Sequence, residues 1–416
     1  MTAAVLRFHY DVVCPFAAIA AHGIEDFAAA HGLTVPWCPV LLGGLLRHFG
    51  APDDPNAVQS PARAANTRRD IVLQAALHGL RFAVPREHPR RTLAAMRLLV
   101  AAGPERRPSL SLALMDAYWR DGLDLADEAV LASIAAAHDV PSSRIHDDDV
   151  KAELRARTDA AAAAGVFGVP TLLLGARRIW GQDRLPLLSR ALGRAVDPAA
   201  PTRTGPGPRA PARVRFFHDV ASPFSYLAST QIERVCAAAG ATLERVPILL
   251  GALFRDIGTA DVPMFTMHAA KQAWVREDLD AWAAAWGVPL RFPTQFPIRS
   301  VLPQRVALAE PLAVAAIDRA AWADDVPVAD REALGGVLQR AGFDGRELLA
   351  RAESPAIKDA LRAHTEAARV AGACGVPSML VSVADTAPQL VWGQDRLATV
   401  ASLLAGFVPP AVDPAP

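Results

Sequence analysis

The chain begins with Leu6-Arg-Phe-His-Tyr10, whose alternating and aromatic residues have the period of a short buried strand, and then changes to helical spacing after Pro15. Phe16, Ile19, Ile24 and Phe27 recur every three to four residues or so, which predicts one helix, and Leu33-Thr-Val-Pro-Trp37 reads as the next strand. From about residue 60 to about 160 the chain is alanine-rich, with leucines at helical spacing and repeated glycine and proline interruptions, the pattern of a helical bundle. Pro170-Thr-Leu-Leu-Leu174 returns to a strand pattern, followed by a hairpin-like strand and a final helix. The same order begins again at Val214-Arg-Phe-Phe-His218. It continues through Leu243-Glu-Arg-Val-Pro-Ile-Leu-Leu250, a helical stretch from about 268 to 368, and Pro377-Ser-Met-Leu-Val381. A βαβ unit, an all-helical insert and a ββα unit make an α/β domain, and the chain carries it twice.

Aligned residues establish the repetition. Cys14 and Ser222 are 208 positions apart, and the same offset pairs Asp11 with Asp219, Pro15 with Pro223, Phe16 with Phe224, Arg68 with Arg276, Asp70 with Asp278, Gly79 with Gly287, Pro89 with Pro297 and Arg97 with Arg305. Further on the offset drifts as loop insertions would make it drift: Gly168-Val-Pro170 matches Gly375-Val-Pro377, and Trp180-Gly-Gln-Asp-Arg-Leu185 matches Trp392-Gly-Gln-Asp-Arg-Leu397. A period this long makes each unit a whole domain rather than a solenoid repeat. The expected division is a first domain over 1–196, a proline- and glycine-rich, semi-extended linker over 197–212, and a second domain over 213–408 with a loose proline-rich tail.

Each strand–helix junction holds a candidate site, Asp11-Val-Val-Cys14-Pro15 in one copy and Asp219-Val-Ala-Ser222-Pro223 in the other. Proline suits the first helical turn because its missing N–H would have had no intrahelical partner, so Cys14 and Ser222 are predicted at helix N-termini. Unpaired N–H groups and the helix dipole favour negative charge there. At Cys14 that charge would be the protein's own thiolate; at Ser222 a sulfur would have to arrive on a ligand that the hydroxyl can hold. The alternative for each is structural: Ser222 as a plain helix cap and Cys14 as a small buried hydrophobe.

Composition narrows the choices. With 416 residues, 52% hydrophobic and 21% charged, the chain has material for two cores in a soluble globular protein. Lys plus Arg and Asp plus Glu are both 43, which gives no electrostatic case for nucleic acid or an anionic membrane. Met1-Thr-Ala-Ala-Val5 runs straight into the first strand with no signal-like core, and no long uncharged apolar run follows, so a cytoplasmic protein with no membrane segment is expected. Cys14, Cys38, Cys236 and Cys374 form no Cys-x-x-Cys pair and the eleven histidines have no metal-ligand spacing, so neither a dithiol centre nor a metal site is expected.

Four features together resemble a known family: Asp219 to Tyr226 (Asp-x-x-Ser-Pro-Phe-Ser-Tyr), the Lys271…Arg276…Asp278-Leu279 helix, the Phe296-Pro297…Ser300…Arg305 segment, and Gly375-Val-Pro377 with Trp392-Gly-Gln-Asp-Arg-Leu397. The chain resembles thioredoxin-like proteins with a DsbA-type helical insertion, and within them 2-hydroxychromene-2-carboxylate isomerases and kappa-class glutathione transferases, over nearly all of both copies. The resemblance implies an α/β fold class of two tandem thioredoxin-like domains, each with a DsbA-type helical insertion. It also implies that Pro170 and Pro377 are cis and lie against the first helix start. Val169 or Val376 would then pair its backbone with the cysteinyl unit of glutathione, as a sheet edge pairs with an added strand. Gln394 and Asp395 would bind the amino and carboxylate groups of its γ-glutamyl end, with Gln182 and Asp183 as counterparts. A helix cap and a surface salt bridge are the structural alternative for these residues. Lys271 corresponds to a family position that contacts glutathione, where the first copy has Arg63 and a solvated helix charge is the other reading.

The sequence departs from the family pattern at several points. The family's Gly-Asn-x-Pro-Pro loop is replaced by Gly50-Ala-Pro-Asp-Asp-Pro55 and Gly258-Thr-Ala-Asp-Val-Pro263. The first copy has Cys14 for serine, Ala17-Ala18 for Ser225-Tyr226 and His88 for Phe296, so the second copy is the better preserved. The Trp274, Trp282 and Trp286 cluster either lines a cavity or fills a core.

The implied activity is a glutathione-dependent isomerase, or a transferase of the kappa-like group, with glutathione as cofactor and a small-molecule aromatic substrate. A free thiol is only about 3% ionised at pH 7, and lowering its pKa by about two units takes about 2.7 kcal/mol. A hydroxyl hydrogen bond to the anion supplies roughly 1.5 to 3 kcal/mol and a helix N-terminus roughly 0.3 to 2, so Ser222 with its helix can account for the shift. The thiolate would add to a conjugated double bond of an aromatic-ring degradation intermediate, allow rotation and leave again. Two alternatives stand beside this: a DsbA-like thiol-disulfide oxidoreductase using Cys14, and a chain in which one copy is a non-catalytic scaffold. The fusion would replace the usual homodimer with an intrachain pseudo-dimer.

Overall fold

A computed structural model describes residues 3–52 and 59–410, so the loop read at Gly50 to Pro55 lies partly outside the described residues, as do the chain's first two positions and the last six residues of its tail. The chain divides into two units. Unit 1 comprises Met1–Val58, Ile71–Val196 and His268–Lys271; unit 2 comprises Gln59–Asp70, Asp197–Met267 and Gln272–Pro416. Each unit therefore includes a short segment numbered within the other repeat.

Unit 1 is built on strand β1 (Ala4–Tyr10). Strands β2 (Leu33–Thr34) and β3 (Trp37–Pro39) run parallel to it, one after the other along the same edge, with Ala4 opposite Leu33 and Phe8 opposite Trp37. On the other edge β4 (Thr171–Leu174) is antiparallel to β1 and pairs in turn with β5 (Arg177–Trp180). The single strand expected over Leu33–Trp37 is split where Pro36 falls, because proline has no N–H for the ladder. The single helix expected to carry Phe16 through Phe27 is likewise two, Pro15–Ala21 and Ile24–Ala30, broken at His22-Gly23. Aromatic packing holds the sheet's inner face, with the Trp37 ring edge-on to Phe8 at 5.1 Å and to Tyr10 at 5.4 Å. Five longer helices follow β3 before β4: Pro61–Leu77, which starts in unit 2, then Leu93–Ala101, Gly103–Trp119, Glu128–Ala137 and Asp148–Ala163.

Unit 2 has the same plan, with β6 (Ala212–His218) between parallel β7 (Thr242–Pro247) and antiparallel β8 (Ser378–Val383), and β9 (Gln389–Trp392) beyond β8. Its helical insert runs from Ala269–Trp286, whose first turn lies in unit 1, to Pro355–Val370. Trp274 and Trp282 are buried and Trp286 packs on the core with its ring 4.8 Å from that of Trp282, so this cluster fills a core.

The stretch read as a semi-extended linker starts as part of unit 2. Asp197 takes a two-pronged bond from Arg234 at 2.7 and 2.9 Å, Ala199 is buried in the core, and the Thr202 N–H donates to Ser402 Oγ at 2.9 Å. Gly205 lies backbone to backbone with Gly406, an approach that excludes any side chain. Among the described residues no helix is long and apolar enough to cross a membrane.

Candidate functional site

Cys14 and Ser222 hold the same station in their units. Each is the last extended residue (φ −90°, ψ 118° and φ −109°, ψ 121°) before a helix whose first residue is proline, Pro15–Ala21 in one and Pro223–Ser229 in the other. Ser222 is a true cap, its Oγ accepting from the Ser225 N–H at 3.2 Å, whereas the Cys14 thiol makes no such bond.

Each side chain donates across to the same place in the turn before β4 or β8. Cys14 Sγ–H reaches the Val169 carbonyl at 3.1 Å, and the Ser222 hydroxyl reaches the Val376 carbonyl at 3.2 Å. Val169–Pro170 and Val376–Pro377 are both cis, as are His88–Pro89 and Phe296–Pro297. The carbonyls of Val169 and Val376 thus face the N-cap side chains instead of an open strand edge.

The aspartate of each motif positions this junction. Asp219 is fully buried and accepts from the Ala221 N–H at 2.9 Å, the Leu250 N–H at 2.7 Å and the Ser300 hydroxyl at 3.0 Å, which ties the loop before Ser222 to two other segments. Asp11 does the same with the Val13 N–H, the Leu42 N–H and the Thr92 hydroxyl. Burial is the main reason the Asp219 carboxyl is pushed up to about 6, its three donors only partly offsetting it. Indole N–H groups brace the same loops, Trp119 to the Val12 carbonyl at 2.9 Å and Trp322 to the Val220 carbonyl at 2.7 Å. In unit 2 the buried Gln304 adds bonds to the His218 and Ile248 carbonyls at 2.8 and 3.0 Å. Thr92 and Ser300 are aspartate partners whose only signal in the sequence is their shared 208-residue offset. Gln304 offered none, because the first repeat has Met96 there.

Gly168 and Gly375 follow from close approach: a Cβ on either would sit 2.9 Å from the indole nitrogen of Trp180 or Trp392. After each tryptophan a glycine at φ 100° or 111° opens a single 3-10 turn, Gln182–Arg184 or Gln394–Arg396. Both glutamines are buried, and the Gln182 amide nitrogen has no hydrogen-bond partner among the described residues. Asp183 pairs with Arg184 at 2.7 Å. Arg396 makes a two-pronged pair with Asp70 at 2.9 and 2.8 Å and lies 3.6 Å from Asp395.

The predicted residues sort differently from the repeats. Unit 1 brings together Cys14, Val169, Pro170, Gln182 and Asp183, and it also holds Lys271, whose ammonium lies 5.1 Å from the Trp180 ring centroid. Unit 2 brings together Ser222, Val376, Pro377, Gln394 and Asp395, and here the cation over the tryptophan is Arg63, 5.1 Å from the Trp392 ring centroid. Lys271 therefore belongs with the Cys14 set, not with the Ser222 set where the sequence reading had placed it. The reason is that the start of each insert's first long helix falls in the other unit.

The electrostatics also revise the expectation for Cys14. Burial pushes its thiol up to about 12, and the Ala17 and Phe16 N–H groups, which favour the anion, do not offset that. The helix start is anion-favouring as expected, but desolvation outweighs it and favours the protonated thiol. All four cysteines are free. Among the described residues no group of three or more His, Cys, Asp or Glu could hold a metal ion.

The family model for the DSBA-like thioredoxin domain matches this chain twice, over residues 5–193 and 213–405. Among similar proteins, a 2-hydroxychromene-2-carboxylate isomerase of Sphingobium xenophagum is 29% identical over 46% of this chain and 97% of its own length. A glutathione S-transferase kappa 2 of Caenorhabditis elegans is 28% identical over 46% of this chain and 91% of its own length. A solved structure of a 2-hydroxychromene-2-carboxylate isomerase matches with 23% identity over 46% of this chain and 95% of that one, at a TM-score of 0.40. The chain belongs to the DSBA-like thioredoxin domain family, has that domain in two tandem copies, and counts isomerases and kappa-class glutathione transferases among its relatives.

Proposed function

We propose that the Ser222 copy is a glutathione-dependent isomerase site acting on a small aromatic-degradation intermediate. The observation that carries this reading is the Ser222 hydroxyl, fixed by the Ser225 N–H and aimed at the Val376 carbonyl beside a cis proline. The donor set fits a tripeptide thiol: one hydroxyl for the sulfur, a backbone carbonyl that the hydroxyl can release, a buried amide at Gln394 and a carboxylate at Asp395. The name of one relative, an isomerase, supports the reaction class, and that of the other, a glutathione transferase, supports the thiol.

In this reading the Ser222 O–H turns from the Val376 oxygen to the sulfur, a move that keeps the Ser225 bond intact because that bond uses the oxygen, not the proton. The released Val376 carbonyl then accepts the cysteinyl N–H, as an edge strand would. Asp395 takes the γ-glutamyl ammonium, Gln394 its carboxylate, and Arg63 over Trp392 supplies the nearby cation. Bound there, glutathione supplies a sulfur nucleophile that adds reversibly to a conjugated double bond. Asp219 holds the loop and makes no contact with substrate in this scheme. The Cys14 copy, with its thiol kept protonated by burial, is assigned no turnover.

The test is turnover of a 2-hydroxychromene-2-carboxylate with and without glutathione, in the parent chain and in Ser222→Ala, with glutathione affinity from calorimetry. A Ser222→Ala chain that turns over as fast as the parent ends the assignment.

A further inference from the structure

One turn beyond Ser222, the same helix borders a cavity of about 230 Å³. Tyr226, Val288, Pro289 and Ala315 are among its apolar lining, and Ser229 and Asp318 among its polar lining. Asp318 is only 4% exposed, and its Oδ2 is buried without a hydrogen-bond partner among the described residues. An uncompensated buried carboxylate oxygen is costly, so its presence needs a cause. The fold does not supply one. Trp119 and Trp322 occupy matching places, each donating to the carbonyl two residues before Cys14 or Ser222, and four positions before them stand Met115 and Asp318. The first repeat thus fills this core position with a thioether.

The groups around Asp318 compensate its charge only in part, and its Oδ2 is left without a hydrogen-bond partner among the described residues. The Ser229 hydroxyl and the charge of Arg245, which donates to that hydroxyl at 2.9 Å, favour the carboxylate, while the charge of Asp219 opposes it. Arg319, which also lines the cavity, is exposed and 3.5 Å from Asp324. The Tyr226 hydroxyl is committed to the Pro289 carbonyl at 2.7 Å. Burial pushes the Asp318 carboxyl up to about 7, Ser229 and Arg245 offsetting it only in part and Asp219 adding to it, a cost that a bound cation would relieve.

We propose that this cavity is a binding site for a small organic ammonium, its apolar body along Tyr226, Val288 and Pro289 and an ammonium N–H on Asp318 Oδ2. The size suits a ring or a short alkyl chain, since an apolar cavity of roughly 150 Å³ already takes benzene. None of these residues is used in the isomerase reading, so the two proposals stand or fall separately.

Calorimetry or saturation-transfer NMR on the full chain with benzylammonium, benzyl alcohol and benzoate tests it. The expectation is one saturable site for benzylammonium, weakened about tenfold or more in Asp318→Asn, absent in Asp318→Met and unchanged in Ser222→Ala. No saturation, equal affinity in Asp318→Asn, or benzyl alcohol binding as tightly would overturn it. Should the Asp318 variants fail to fold by circular dichroism, Ala315→Trp closes the cavity from an exposed wall, and retained binding there would overturn it equally.

Discussion

Ser222 donates its hydroxyl proton to the carbonyl oxygen of Val376, 3.2 Å away and 154 residues along the chain. Cys14 does the same to Val169 at 3.1 Å. One geometry therefore holds two different groups, a hydroxyl in one unit and a buried thiol in the other. In the proposed function the hydroxyl exchanges this acceptor for an incoming sulfur, whereas a buried thiol would have to lose its proton first, against burial.

Ser222→Ala removes that donor and the helix cap together. Glutathione-dependent turnover is expected to fall by about 10- to 150-fold, the rate equivalent of roughly 1.5 to 3 kcal/mol, with the ultraviolet absorbance of bound thiolate lost. Unfolding stability should fall by about 1 kcal/mol, since the Ser225 N–H loses its partner. A variant with the stability loss but full turnover would show that Ser222 is a cap alone.

Alkylation should follow exposure rather than helix position. Burial raises all four thiols, but Cys38 is the partly exposed cysteine, whereas Cys14, Cys236 and Cys374 are buried. Peptide mapping after iodoacetamide treatment at pH 8 should find Cys38 modified first. Faster labelling of Cys14 would mean an ionised thiol, contrary to its burial.

Asp219 gives stability a pH dependence of defined sign. Its folded pKa of about 6 lies above the ordinary 3.8, so between those values the folded state holds more protons than the unfolded one. The contribution of this group to stability is therefore fully present below about pH 4 and is lost as pH rises through about 6, by at most about 3 kcal/mol. Asp219→Asn cannot ionise, so urea melts across this range should show a flatter profile than the parent, together with a constant loss from weaker acceptance of the Leu250 and Ala221 N–H groups. An unchanged slope would mean that Asp219 titrates normally.

Arg396 and Asp70 are both largely buried and joined by two hydrogen bonds within unit 2. Asp70→Ala leaves the guanidinium with only the longer 3.6 Å contact to Asp395 and should destabilise unit 2 by about 3 kcal/mol, because a buried charge loses its two-pronged partner. Replacing both residues should cost less than the two single changes added together, which a double-mutant cycle measures. Additive losses would mean that the two groups do not act as a pair.

Much of this protein is legible from one line of residues. The duplication, the order of strands and helices, and the N-cap stations of Cys14 and Ser222 follow from local features, namely the apolar period, the proline at the first helical position and the shared offset of 208 residues. The placement of Gly-Val-Pro against those caps came from the resemblance and has the expected geometry in both units. Tertiary structure decided the rest. Lys271 lies over Trp180 and Arg63 over Trp392 because segment membership depends on which core each helix start packs against, a choice no local period encodes. The protonation of Cys14 was decided the same way: the helix start is a property of nearby sequence, but desolvation comes from side chains brought in from distant segments, and here it is the stronger of the two.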